Sequence, residues 1–190
     1  MKERPILFSA QMVEAILDDR KTQTRRVVKP QPVFVAAPNV PFKTEDADPN
    51  GIIRCPHGKP GDRLWVRETF APMIGGGYVY AADYTAERLK APGGSGFWKP
   101  SIHMPRSASR ITLEITGVRI ERLNDISEDD AIAEGVDVKM DAVMTAAQCR
   151  GKAGTAAQLE YWHLWESIHG KGSWDANPFV WVVEFNRVTA

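Results

Sequence analysis

The stretch at residues 178–188, PFVWVVEFNRV, constrains the fold most, because large apolar residues follow one another there almost without interruption. A strand with one face in water alternates polar and apolar residues, whereas a continuous apolar run indicates a strand buried on both faces. The stretch at 109–123 shows the alternating pattern, with isoleucine and leucine set against threonine and glutamate. Shorter strands are predicted at 24–28, 61–70 and 77–84.

Capping residues and apolar spacing predict three helices. Ser9 precedes a stretch whose apolar residues recur at helical spacing, and Ser127, with Asp130 three residues later, begins a short helix that ends at Gly135. The longest helix is predicted within 155–170. Because strands outnumber helices and loops join them, we expect an α+β fold: a small mixed, mostly antiparallel β-barrel with helices packed outside.

The length of the chain predicts its domain organisation. A chain of 190 residues suffices for one domain with a substantial core and is too short for two large ones. We therefore expect a single domain over residues 1–190. Two irregular insertions are predicted within it, at about 29–61, which is rich in proline, and at about 86–108, which contains a glycine cluster.

Composition limits the partners of the protein. Lys and Arg number 24 and so do Asp and Glu, so no overall field attracts the chain to long nucleic acid or an anionic membrane. No stretch reaches the roughly 18 apolar residues that span a bilayer, so we expect a cytoplasmic protein with no membrane partner. Cys55 and His57 form one potential metal-binding pair, but no second pair follows at zinc-ligand spacing, and we expect neither metal nor cofactor.

The stretch at 18–30, DDRKTQTRRVVKP, concentrates positive charge in a chain without net charge. Cations at the end of a helix are stabilised by the helix dipole, which explains Arg20 and Lys21 structurally. The helix dipole does not explain the positive charges of Arg25 and Arg26 on the following strand. On that strand Thr24 and Arg26 share one face, so a hydroxyl group lies next to a cation.

The sequence RKTQTRR after a short helix, followed by the strand GDRLWVRETF, resembles the ASCH family, a branch of the PUA-like superfamily of small β-barrels that handle RNA and nucleosides. The resemblance is strongest to phage and prophage members and extends from the first helix to the closing strand. Some small bacterial members are amidohydrolases that remove the acetyl group from N4-acetylcytidine. The resemblance implies that Lys21, Thr24 and Glu134 are catalytic, and Arg26 matches the basic residue that ends the family motif.

The chemistry of amide hydrolysis is consistent with these three residues. It needs an activated nucleophile, a proton donor for the leaving nitrogen and stabilisation of the oxyanion. Lys21 can activate the Thr24 hydroxyl if burial or neighbouring arginines lower its pKa. Glu134 would orient Lys21 or a water molecule, or protonate the leaving amine. The alternative is structural: Lys21 as a helix-terminal cation, Thr24 as an ordinary strand residue and Glu134 as an exposed helix residue.

Substrate binding is predicted for a wider set of residues. Trp98 offers a stacking face beside the cations of the second insertion, a mixture typical of single-stranded RNA and nucleotide sites. Glu68 is a candidate acceptor for a base amine, and an ion pair with Arg67 or Arg26 is the alternative. The complete set of candidate substrate-binding residues is Arg25, Arg26, Arg67, Glu68, Trp98, His103 and Arg106.

Three functions are compatible with these residues. The first is an amidohydrolase that deacylates nucleosides of the N4-acetylcytidine type with Lys21, Thr24 and Glu134. The second is a single-stranded RNA ribonuclease, and the third is a non-catalytic module that binds RNA or a modified base. The absence of net charge favours a small ligand, because binding long RNA normally requires an excess of cations. The expected partner is therefore a nucleoside or single-stranded RNA, and the oligomeric state stays open.

Overall fold

The computed structural model describes residues 1–32, 54–84, 97–138 and 154–188. Residues 33–53 of the first predicted insertion and 86–96 of the second lie outside these ranges. The described parts of the insertions, 29–32, 54–61 and 97–108, contain turns and two short 3-10 helices, Ser101–His103 and Arg106–Ala108. No helix within the described ranges is both long and apolar enough to cross a membrane.

Seven strands and three helices position the residues discussed below. In chain order the strands are β1 (Glu3–Leu7), β2 (Gln23–Val27), β3 (Arg63–Arg67), β4 (Phe70–Pro72), β5 (Tyr78–Tyr80), β6 (Thr112–Arg122) and β7 (Phe179–Arg187). The helices are α1 (Ala10–Leu17), α2 (Glu128–Ala133) and α3 (Ala156–His169). The predicted strands and helices are thus present, with boundaries that differ by a few residues.

The main sheet has five strands in the order β1-β3-β6-β7-β2, and β4 and β5 form a separate hairpin. The β1–β3 pair is parallel and the other pairs are antiparallel. The fold is therefore α+β with a mostly antiparallel sheet. Within the described residues β1 and β2 are the two edges of the sheet and are not paired with each other.

Strand β7 is buried on both faces, as its continuous apolar run predicts. Trp181 and Val183 belong to a core beneath α1, whereas Val180 and Val182 belong to a second core beneath α2 and α3. Each of these four residues is at most 5% exposed. The two cores place α1 on one face of the sheet and α2 and α3 on the other, and both groups of helices flank the β2 edge.

Helices α1 and α2 begin at their predicted capping residues, and the structure adds a cap for α3. The Ser9 hydroxyl accepts a hydrogen bond from the Met12 amide, and the Ser127 hydroxyl accepts one from the Asp130 amide. Thr155 and Gln158 form a reciprocal capping box at the start of α3. Short polar side chains therefore fix where α1, α2 and α3 start.

The sequence pattern did not predict β1. Its stretch, ERPIL, begins with two charged residues and contains Pro5, which lacks an amide hydrogen, so it does not show the alternation typical of a strand. Strand β1 lies at an edge of the sheet and pairs in parallel with β3, Pro5 opposite Trp65. An edge strand tolerates proline because it carries a hydrogen-bonding ladder on one side only.

Candidate active site at the edge of strand β2

A cavity of about 300 Å³ lies where α1 and α3, from opposite faces of the sheet, extend past the edge strand β2. This volume is at the lower end of the range for small-molecule sites, roughly 300–1,000 Å³. We call it the Lys21 cavity. It is lined by Leu7, Phe8, Ser9, Met12, Lys21, Thr24, Arg25, Arg26, Thr69, Ser101, Glu134, Tyr161, Leu164, Trp165 and Ile168.

Lys21 and Glu134 form a buried ion pair in the wall of this cavity. Lys21 Nζ donates hydrogen bonds to the Glu134 carboxylate oxygen Oε2 and to the Glu134 main-chain oxygen, both at 2.8 Å. Both residues are at most 4% exposed. The structural alternative of an exposed Glu134 is therefore wrong. An ammonium group has three hydrogens, so these two contacts leave one position on Lys21 for another group.

The backbone brings these two residues together. The Lys21 amide closes the end of α1 by donating to the Ala15 carbonyl at 2.9 Å, and the next amide, Thr22, donates to Ala133 of α2 at 2.9 Å. Glu134 is the C-terminal cap of α2, and Gly135 follows it in the left-handed conformation with φ +80°. The ends of the two helices are thus joined next to the ion pair.

Arg25 is fully buried and binds three carboxylates. Its Nη1 atom lies 3.2 Å from Glu134 Oε1, and its Nη2 atom lies 2.9 Å from Asp130 Oδ2 and 3.1 Å from Glu121 Oε2. Both carboxylate oxygens of Glu134 are therefore occupied, one by Lys21 and one by Arg25. These contacts favour a role for Arg25 in positioning Glu134 over the predicted direct contact with substrate.

Arg26 points towards the opposite edge of the sheet. Its Nη2 atom donates to the Leu7 carbonyl of β1 at 2.6 Å, and its guanidinium group lies 5.4 Å from the centre of the Phe8 ring. Lys21 Nζ lies over the same ring at 5.6 Å. Phe8 thus lies beside both cations and gives the cavity an aromatic wall.

Thr24 lies between these charged residues on β2, opposite Val183 of β7. The residue is 4% exposed. Its hydroxyl makes no hydrogen bond within the described part of the chain. A buried hydroxyl usually has a partner, so Thr24 is available to a molecule in the cavity.

Burial and neighbouring charges shift two pKa values at this site. Burial lowers the pKa of the Lys21 ammonium, with smaller contributions from Arg26 and Arg25, although Glu134 opposes the shift. Burial also raises the pKa of the Tyr161 phenol well above its usual range, and the Glu134 charge adds to this effect. The cavity therefore combines a lysine that loses its proton more readily than usual with a phenol that retains its proton.

The sequence patterns did not single out Tyr161 or Trp165 as site residues. Both residues are buried in the core beneath α2 and α3, and both also line the Lys21 cavity. They lie four residues apart on α3, so they share one face of the helix. The signal in the sequence that could have found this helix face is a tyrosine one turn before a tryptophan, both within the apolar stripe of α3.

The other predicted substrate-binding residues do not line the cavity. Glu68 is buried and is bound by Arg110 at 2.9 and 3.0 Å, so its partner is neither Arg67 nor Arg26. The other four residues also lie outside the cavity. Arg67 donates to the Ile102 carbonyl, and Arg106 pairs with Glu3. Trp98 packs edge-on against Tyr84, and His103 is exposed in a short 3-10 helix.

No group of three or more His, Cys, Asp or Glu side chains within the described ranges has the arrangement of a metal site. Comparisons with protein-family models, with curated proteins and with solved structures find no match to this chain.

Proposed function

We propose that the protein is an ASCH-type amidohydrolase that deacylates nucleosides of the N4-acetylcytidine type, with Lys21, Thr24 and Glu134 as its catalytic residues. One observation carries the proposal: Lys21 and Thr24 line one cavity together with Glu134, which is 113 residues from Lys21 in the chain and binds its ammonium group at 2.8 Å. The residues on which the family resemblance rests are therefore neighbours in space, and they are buried.

The proposed reaction passes through an acyl-threonine. The neutral amine of Lys21 takes the proton of the Thr24 hydroxyl as the Thr24 oxygen attacks the acyl carbon. The tetrahedral intermediate collapses when the C–N bond breaks, and Lys21 returns the proton to the leaving cytosine amine. Water then attacks the acyl-threonine, which releases the carboxylic acid and restores the Thr24 hydroxyl.

Glu134 serves this reaction by holding Lys21. Its carboxylate and its main-chain oxygen both accept hydrogen bonds from Lys21 Nζ, so the amine has a fixed position. Arg25 occupies the other carboxylate oxygen. The shared ionic contacts make Glu134 an orienting residue in this proposal, and they leave proton transfer to Lys21.

The PUA-like barrel belongs to the same proposal. Its support is the hydrogen bond from Arg26 on β2 to the Leu7 carbonyl on β1, because these two strands are the opposite edges of the five-stranded sheet. A flat sheet of five strands would hold its edges roughly 19 Å apart, at about 4.8 Å per strand spacing. The contact therefore favours a strongly curled sheet, as in a small barrel.

The surface outside the cavity favours a nucleoside over a long single-stranded RNA. Arg106 pairs with Glu3, and Arg110 pairs with Glu68 and Asp83. Acidic neighbours thus neutralise these cations, whereas RNA binding depends on cations that are free to contact phosphate. Cleavage of single-stranded RNA and non-catalytic binding of RNA or a modified base are the other candidate functions.

Chromatography of the reaction products tests the proposal. Native protein should convert N4-acetylcytidine to cytidine, and Thr24→Val should not, because valine keeps the branched shape and lacks the nucleophile. Lys21→Met should also be inactive, whereas Lys59→Met, which alters an exposed lysine outside the cavity, should keep full activity. Absence of cytidine with folded native protein, as shown by circular dichroism, would exclude this substrate, and full activity in Thr24→Val would exclude the mechanism.

A further inference from the structure

Tyr161 is a buried residue whose hydroxyl has no hydrogen-bond partner among the described residues. The residue is 3% exposed, and its ring packs against those of Trp165 and Trp174 with centroid distances of 6.2 Å each. The Tyr161 hydroxyl makes no hydrogen bond to any of the described residues. Unlike Arg26 Nε and Trp165 Nε1, the Tyr161 oxygen is not among the fully buried side-chain atoms that lack a partner in the described ranges, so a molecule in the cavity can reach it.

The position of Tyr161 connects this hydroxyl with the proposed reaction. Tyr161 lines the Lys21 cavity, and the Arg25 guanidinium lies 6.0 Å from the centre of its ring. The charges of Glu134, Arg25 and Arg26 all act on the phenol. The hydroxyl therefore lies within the electrostatic environment of the ion pair.

Each charged donor of the cavity wall already has at least one partner among the described residues. Lys21 uses two of its three hydrogens on Glu134, and both terminal nitrogens of Arg25 bind carboxylates. Arg26 directs Nη2 to the Leu7 carbonyl. Arg26 Nε and Trp165 Nε1 have no partner in the part of the chain that the structure describes, but both nitrogens are completely buried, so a molecule in the cavity does not reach them.

Amide hydrolysis needs a donor at the acyl oxygen, which becomes negatively charged in the tetrahedral intermediate. A neutral phenol suits this position, since it stabilises the oxyanion by a hydrogen bond and retains its own proton. We propose that the Tyr161 hydroxyl is a catalytic residue that donates a hydrogen bond to the acyl oxygen of the substrate in the Lys21 cavity. This inference rests on the proposed amidohydrolase function, and it adds a residue from α3 to the site.

Kinetics of Tyr161→Phe test the catalytic part of this inference. Phenylalanine keeps the ring that packs against Trp165 and Trp174 and removes only the hydroxyl. We expect kcat for N4-acetylcytidine to fall about 100-fold or more, the effect of losing one oxyanion donor. Tyr84→Phe, which alters a tyrosine outside the cavity, should leave kcat unchanged. A kcat for Tyr161→Phe within twofold of native would overturn the assignment.

Thermal unfolding separates catalysis from a structural role. Because the Tyr161 hydroxyl has no partner in the described residues, its removal should leave Tm unchanged or raise it slightly. A large fall in Tm would show a structural hydrogen bond and would overturn the inference.

Binding measurements distinguish failure of this inference from failure of the proposed function. In a Thr24→Val background, calorimetry should show that Tyr161→Phe weakens N4-acetylcytidine binding at least fivefold and leaves binding of cytidine, which lacks the acyl oxygen, unchanged. If Tyr161→Phe weakens the binding of N4-acetylcytidine and of cytidine equally, or weakens neither, the proposed contact between Tyr161 and the acyl oxygen is wrong. If native protein makes no cytidine but this difference persists, the amidohydrolase proposal fails and the contact stands. If neither ligand binds, both fail.

Discussion

Lys21 Nζ donates to Glu134 twice, to the carboxylate oxygen Oε2 and to the main-chain oxygen, at 2.8 Å in each case. One contact supplies a counter-charge, and the other fixes the lysine to the backbone at the end of α2. The two contacts respond differently to substitution, because a change of side chain at position 134 removes the charge and leaves the main-chain acceptor in place.

Replacing Glu134 with Gln should destabilise the protein in a pH-dependent manner. Loss of one partner from a buried ion pair costs about 3–5 kcal/mol. Without Glu134 the pKa of Lys21 falls further below its unfolded value, so the folded state binds fewer protons than the unfolded state. Stability then rises with pH towards the unfolded pKa of about 10, and the penalty shrinks.

Urea denaturation at pH 7 and pH 9 measures this effect for native protein and Glu134→Gln. The control is Glu128→Gln, an exposed glutamate in α2, whose effect should be small at both values. A penalty for Glu134→Gln that is the same at pH 7 and pH 9 would contradict the assignment of Lys21 as the group left unpaired.

The activity of the proposed enzyme should increase with pH. The proposed base is neutral Lys21, and burial lowers its pKa, so the midpoint of the rise in kcat/KM should lie below the ordinary lysine value. Glu134 opposes this shift, so Glu134→Gln should move the midpoint to lower pH and reduce the maximal rate. The pH profiles of kcat/KM for both proteins provide the measurement, and a midpoint that moves upward would exclude Lys21 as the base.

Arg25→Lys should be strongly destabilising although it conserves charge. The guanidinium group contacts Glu134, Asp130 and Glu121 together, and the compact ammonium group of lysine does not span three carboxylates. We expect a loss of about 3 kcal/mol in the free energy of unfolding, as for a disrupted buried ion pair. Arg20→Lys, which alters the exposed pair with Asp18, is the matched control and should change stability by less than about 1 kcal/mol.

Gly135→Ala should disturb the ion pair through backbone strain and steric overlap. Gly135 has φ +80°, and an added Cβ would lie 2.8 Å from the Cβ atoms of both Ala15 and Lys21. Gly61 has a similar φ of +85° with no atom within 4 Å of an added Cβ. The conformational cost of about 1–2 kcal/mol should appear in both alanine variants, and overpacking should add about 1–3 kcal/mol at Gly135 alone.

Chemical denaturation of the two glycine variants checks this difference directly. Equal losses of stability in Gly135→Ala and Gly61→Ala would mean that the space beside Lys21 accommodates a methyl group.

His57 should make stability fall at acidic pH. Burial, with the charges of Arg26 and Arg4, lowers its folded pKa to about 4, below the unfolded value of about 6.5. Between these values the unfolded state binds more protons, so stability declines as pH falls from about 6.5 to about 4. Because His57 is partly exposed, the slope should be below the single-group limit of about 1.4 kcal/mol per pH unit.

Thermal unfolding from pH 7 to pH 4 tests the role of His57. His57→Gln should lose less Tm over this range than native protein does, whereas His103→Gln, which alters an exposed histidine, should behave like native protein. Identical Tm curves for His57→Gln and native protein would assign the acid sensitivity to other groups.

The sequence predicts those parts of this fold that depend on local chemistry. Continuous apolar residues predict β7, and Ser9 and Ser127 mark the starts of α1 and α2. Strand β1 escapes prediction because its stability comes from parallel pairing with β3, about 60 residues away in the chain. Pairing over such a distance leaves no periodicity in the short strand itself.

The sequence likewise predicts only part of the candidate site. The family resemblance selects Lys21, Thr24 and Glu134, and the fold brings all three to one cavity. The partners of Arg25 are not predictable, because Glu121, Asp130 and Glu134 lie about 100 residues away and show no pairing pattern with β2. Tyr161 is missed for another reason: a buried aromatic residue in a helix is interpreted as core, and only the structure shows that its hydroxyl has no partner among the described residues.

The pairing of β2 with β7 also bears on the fidelity of folding. Thr24 lies opposite Val183 and Arg25 opposite Val182, and a slip of one residue would turn every β2 side chain to the other face of the sheet. The misaligned strand would leave Arg25 in the apolar core beneath α1 and deprive three carboxylates of their cation. The ion cluster around Arg25 therefore favours the correct register of β2. The same arginine thus positions Glu134 and destabilises sheets with the wrong register.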